Sequence, residues 1–167
     1  MTTQEQIAVM QAYTDYTIEE FCDRYYACHE GRTWAIENCK DMREAWDKAP
    51  EPRWVLWIAT RPGVLTLREL QKFALWCAEN VRHLMKDKRS TDALDVVAKY
   101  LRGEATVEEL KTARVYADAY AADADAAYAA YAAAAAYATY AYAYATWDAW
   151  TKISEKLRTY TPNFTKT

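Results

Sequence analysis

Between Gly103 and Pro162 the chain contains neither glycine nor proline, so a helix begun there meets no built-in stop. The middle of this stretch, AYAADADAAYAAYAAAAAYATYAYAYATWDAW from Ala119 to Trp150, strings Ala and Tyr together with single Asp residues and no positive charge. One helix from Val107 to about Arg158 would be on the order of 75 Å long at 1.5 Å per residue, too long for a compact domain of this size. The expectation is a long Ala/Tyr-rich C-terminal helix through the centre of the protein, or two helices bending near 132–139. At about 100° per residue, Tyr116, Tyr120 and Tyr131 share a face, while Tyr140, Tyr144 and Trp147 lie nearly opposite. The buried face therefore rotates along the tract. Ala lets helices approach closely, and each Tyr fills a gap while keeping a hydroxyl for a partner or water.

The remainder also reads as helix. The 167 residues include only three Gly and four Pro, a composition unfriendly to turns and sheets. Four Thr are followed three residues later by Glu, the capping-box pattern: Thr2 with Glu5, Thr17 with Glu20, Thr66 with Glu69, and Thr106 with Glu109. From Thr17, the spacing puts Ile18, Phe21, Cys22, Tyr25 and Cys28 on one face, with Gly31 ending or bending the helix before RTWAIENC resumes. CKDMREAWDKA is a short helix stopped by Pro50 and Pro52, and Pro52 suits the first turn of the next. That segment, RWVLWIAT, has no polar face, which places Trp54 and Trp57 in the core. A strand would also fit it, but no second strand lies nearby to pair. RPG is a turn. Leu67, Leu70, Phe73, Ala74, Cys77, Val81 and Leu84 form one stripe, KDKRS is a loop, and TDALDVVAKYLRG is a helix stopped by Gly103. The prediction is an all-α, single-domain helical bundle over 1–167, with shorter amphipathic helices over 1–105 and the long helical region over 106–160.

Chemistry is sparser. A net charge of −3 has the wrong sign for a general phosphate binder and is too small for a nucleic-acid mimic, so neither DNA nor RNA is an expected partner. The N-terminus lacks the basic and apolar blocks of a signal peptide, and no apolar run reaches the roughly 20 residues of a membrane span. The expected location is the cytoplasm. Cys22, Cys28, His29 and Cys39 are a conceivable zinc set, but their spacing matches no compact CxxC pair. Reduced, mostly buried thiols and no metal are expected. His83 sits near a helix end, where a cation favours the dipole. Glu19 with Glu20 and Glu108 with Glu109 fall in first helical turns, which the same dipole accounts for. With two His, no Gly-rich phosphate loop and no HExxH pattern, neither an enzyme nor a cofactor is expected.

The segments WAIENCKDMREAWDKAPEPRWVLWIA, KFALWCAENVRHL and DKRSTDALDVVAKYLRGEATVEELKTAR, together with the Ala/Tyr tract, resemble the alanine-rich immunity-protein family of bacterial and phage genomes. The resemblance covers about Cys28 to Trp150. Its most specific elements are Trp54 and Trp57, the block from Arg89 to Thr106, and the tract itself. It implies a protein that neutralises a partner toxin by stoichiometric binding. For relatives in phage genomes it implies the alternative of counter-defence, with a host immune protein inhibited or a nucleotide signal sequestered.

Aromatic residues dominate interface hot spots, and the chain has seven Trp and fourteen Tyr. The expected contact residues are Asp118, Asp125, Tyr116, Tyr120, Tyr128 and Tyr131, with a protein as partner. Asp118 and Asp125 are seven apart and share a face; Asp123 points elsewhere. Exposed, they form a polar edge. Buried, they need cations, which Arg32, Arg43 or Arg53 could supply. Base stacking suits a nucleotide, yet phosphates want Lys or Arg, and the nearest basic group is Arg89, Arg102, Lys111 and Arg114. Self-association through the Tyr-rich face is compatible with either role.

Overall fold

A computed structural model describes residues 15–85, 88–116 and 146–166. Among these the chain is helical, without a strand. Its helices are α1 (Ile18–Tyr25), α2 (His29–Asn38), α3 (Met42–Lys48), α4 (Pro52–Ala59), α5 (Leu67–Asn80), α6 (Lys88–Arg102), α7 (Val107–Tyr116) and α8 (Thr146–Leu157), with a 3₁₀ turn at Arg82–Leu84. Three of the four capping boxes form. Thr17 N–H donates to Glu20 Oε2 at 2.9 Å and Glu20 N–H to Thr17 Oγ1 at 3.2 Å. Thr66 with Glu69 and Thr106 with Glu109 repeat this exchange. Thr2 and Glu5 lie outside the described residues.

The core gathers around α4. On its helical circle Val55, Leu56 and Ala59 occupy one arc and are essentially inaccessible to solvent. α8 packs there through Ala149, Ile153 and Leu157, spaced four apart on one stripe. α5 adds Leu70, Phe73 and Cys77, and α3 adds Met42, Ala45 and Trp46. The guanidinium of Arg158 donates to the carbonyls of Trp46 at 3.1 Å and Ala49 at 2.7 Å. The end of α8 is thereby tied to the end of α3, where unsatisfied carbonyls favour a cation. α6 packs on α5 and α7 on α6, further from this centre.

The last segment returns across the first. Tyr16 N–H donates to the Phe164 carbonyl and Asn163 N–H to the Val64 carbonyl, both at 2.8 Å. Asp15 and Thr165 form an isolated antiparallel bridge, and Lys166 pairs with Glu20 at 2.8 Å. Phe164 is buried edge-on against Phe21, with centroids 5.7 Å apart.

Several expectations change. The first helix ends at Tyr25, and Gly31 neither ends nor bends it. Tyr26 turns the chain with φ 56° and ψ 54°, its N–H closing onto the Cys22 carbonyl. Cys28 is accordingly exposed, outside the α1 stripe, and caps α2 by accepting from Gly31 N–H at 3.4 Å. Leu67 is exposed because it precedes the first inward position, Leu70. α6 begins at Lys88, inside the expected loop, where Lys88 pairs with Asp92 one turn on. Trp54 and Trp57 are half-buried; among the described residues Trp46 is the tryptophan sealed in the core. α4 lacks a polar face because both of its flanks are in use, one on the core and one on a cavity.

Candidate functional site

Opposite the core arc of α4, Trp54, Trp57 and Ile58 occupy a second arc and line a cavity of about 190 Å³. α2 contributes Gly31, Trp34 and Ala35, and α3 contributes Met42, Ala45 and Ala49, each trio on one face of its helix. Cys22 of α1 and the Ala27–Cys28 link complete the lining. Small residues and large indoles thus alternate around the space. Unfilled apolar volume is costly in a core, about 24 cal/mol per Å³ in truncation series, so a void of this size marks a position where close packing was not achieved.

The walls are well braced. Trp34 and Trp54 meet with centroids 5.8 Å apart and planes inclined at 41°. Trp57 meets Phe21 edge-on at 5.9 Å and carries the Arg61 guanidinium 5.0 Å from its ring centroid. Arg61 Nε also donates to the Trp57 carbonyl at 2.9 Å, which fixes the ring's backbone. At Gly31, a Cβ would stand 3.2 Å from Cys28 Sγ and 3.4 Å from Trp54 Cε2. A methyl group there would touch Trp54 and would need Cys28 Sγ to give way slightly.

Next in the chain to Ala27 of the lining, Tyr26 is 91% exposed. Among the described residues it is the one non-glycine residue with positive φ, a conformation that costs an L-residue roughly 1–2 kcal/mol. Ile36, on α2, is exposed as well. Burial pushes the Cys22 thiol up, and Cys39 likewise. Cys77 is pushed up to about 12 by burial alone. Of the four free cysteines, only Cys28 is exposed.

The residues expected to form the site lie mostly elsewhere in the chain. Asp118, Asp125, Tyr120, Tyr128 and Tyr131 fall outside the described residues, as does the bend near 132–139. Tyr116 closes α7, and its side chain is likewise outside the description. The cations considered for those Asp residues are engaged by others: Arg32 with Asp23, Arg43 with Asp15, and Arg53 with Glu51. Cys22, Cys28, His29 and Cys39 do not converge as a ligand set; among the described residues no three His, Cys, Asp or Glu side chains group for a metal. His83 is exposed on the 3₁₀ turn. No helix among the described residues is long and apolar enough to cross a membrane.

Sequence reasoning passed over Tyr26 and the small residues Ala35, Ala45 and Ala49, and read Gly31 only as a helix stop or bend. The signal for the small residues was present: two small pairs at i, i+4, each on a helix that also carries large apolar residues. Tyr26 left no such trace, since nothing local marks a left-handed tyrosine. The sequence matches no protein-family model, no curated protein and no solved structure.

Proposed function

We propose that the protein is a non-enzymatic binding protein that neutralises a partner protein by stoichiometric association, as the resemblance to immunity proteins implies. The observation that carries this reading is Tyr26, a large side chain held in solvent at a conformational cost and next in the chain to the Ala27–Cys28 link that lines an apolar, tryptophan-walled cavity. Strain retained at an exposed position is a common mark of recognition sites, and tyrosine is enriched among the residues that anchor interfaces. The cavity lining carries no carboxylate, imidazole or hydroxyl. Such a surface suits burial of a partner's apolar groups better than proton transfer. It also lacks any cation to meet phosphates, which favours a protein partner over a nucleotide.

The partner is a toxin in the first instance and a host defence protein in the counter-defence version; both ask the same of this surface. The place of action is the cytoplasm of the bacterium or of the infected host. The test begins with capture from the natural host, identification of the captured protein, and its titration with purified chain. Inhibition should saturate at equimolar protein, in a complex of fixed stoichiometry by light scattering. Tyr26→Ala should weaken that complex by tenfold or more with an unchanged helical circular dichroism spectrum. Charge reversal at Asp118 and Asp125 together tests the tract's share of the surface, and weaker binding is expected. Inactivation of excess target by catalytic amounts of the protein overturns the binding reading.

A further inference from the structure

We propose that the tryptophan-walled cavity is a binding site for a neutral aromatic ring between benzene and indole in size. This deepens the binding reading by naming the chemistry that enters the site. The volume, about 190 Å³, exceeds the roughly 150 Å³ at which an engineered apolar cavity stays dry and admits benzene. Shape points the same way. Trp34 and Trp54, in mutual contact with planes inclined at 41°, both present indole surface to the cavity, against which a ring can pack in the offset or edge-on arrangements aromatic pairs prefer.

Gly31, Ala35, Ala45 and Ala49 line the same space with little or no side chain. At Gly31 even a methyl group would crowd Cys28 and Trp54. Larger aliphatic residues at the alanines would close the space, yet small ones recur at i, i+4 on both helices. The lining carries no charged side chain, and Arg61, stacked on Trp57, is already committed to the Trp57 carbonyl and Thr60 Oγ1; an ionised group would shed its hydration without return. One neutral polar substituent can be met by an indole N–H or by the Cys22 and Cys28 thiols. The ring has two potential sources, a free small molecule or an aromatic side chain presented by the partner.

The experiment titrates the full chain with indole, phenol and N-acetyltryptophanamide, and with benzoate as the charged control. Readouts are tryptophan emission, Tm, and the rate at which iodoacetamide alkylates Cys28, followed by peptide mass spectrometry. Indole and phenol should shift the emission saturably, raise Tm, and slow Cys28 alkylation at least threefold; benzoate should do none of these. Binding of N-acetyltryptophanamide as well as indole assigns the site to a partner's side chain, and binding of the small rings alone assigns it to a free molecule. Ala45→Leu should abolish saturation by filling the space. Should that variant not fold, protection of Cys28 in the unaltered chain still decides. The proposal is overturned if no neutral ring gives a saturable response, or if benzoate protects Cys28 as well as indole does. If the rings fail while Tyr26→Ala still weakens capture of the partner, the cavity inference falls and the binding reading stands.

Discussion

At the scale of single residues, burial separates Trp46, which holds the fold, from Trp34, Trp54 and Trp57, which line the site. Trp46 is 2% exposed, so Trp46→Ala should cost about 3–5 kcal/mol, as large aromatic truncations in cores do. Trp54→Ala should cost clearly less, because its ring already borders empty space. Urea unfolding of the two variants reads the difference directly, and equal losses would place Trp54 in the core after all. Tyr26 should behave in the opposite way. Tyr26→Gly relieves a left-handed backbone that glycine adopts freely, and should raise stability by roughly 1 kcal/mol while lowering affinity for the partner. A fall in stability would mean that the tyrosine side chain contributes to the fold.

Among the elements, the capping boxes were readable in the sequence because they are local. A Thr and a Glu three apart need nothing but each other to close the first turn, and this happens at Thr17, Thr66 and Thr106. The same locality made α4 misleading. An apolar run with no polar face says that every side of a helix is covered, but not by what, and one arc meets the core while the other meets a cavity. The Tyr26 turn was illegible for a related reason: its conformation is imposed by how α1 and α2 must meet, not by a turn-forming residue. The carboxylates at these helix starts yield a pH prediction. Hydrogen bonds from Lys166 and from the Thr17 backbone hold the Glu20 carboxyl below its ordinary value of 4.5. The Thr106 backbone and side chain do the same for Glu109. A lowered value in the folded state means that the stabilisation is complete above about 4.5 and is lost as pH falls through the folded values. Tm should therefore be flat near neutrality and drop on acidification below about 4.5. Glu20→Gln should remove part of that slope, and a slope unchanged by the substitution would show that the Lys166 contact is inconsequential.

For the whole molecule, helical content was evident from composition and periodicity, whereas the pairing of helices was not, since nothing in a linear pattern says which stripe meets which. That α8 lies against α4, with Ile153 and Leu157 beside Val55 and Leu56, joins residues about a hundred apart. The closing segment extends this, with Phe164 1% exposed against Phe21. Phe164→Ala should cost about 3–5 kcal/mol and should destabilise the fold as a unit. Fluorescence and circular dichroism would then show one shared, shifted transition. Two separated transitions would mean that α6 and α7 unfold independently of the rest.

The arrangement also sets a timetable. During synthesis α4 leaves the ribosome with Val55, Leu56 and Ala59 uncovered, and its principal cover, α8, emerges only after the Ala/Tyr tract has been made. At about 5–20 residues per second, the nascent chain carries the most apolar of its described helices without that cover for several seconds. The latch at Phe164 closes last of all. A ribosome stalled short of it holds a chain whose helices can form but whose centre cannot yet seal, a state in which chaperones have something to hold.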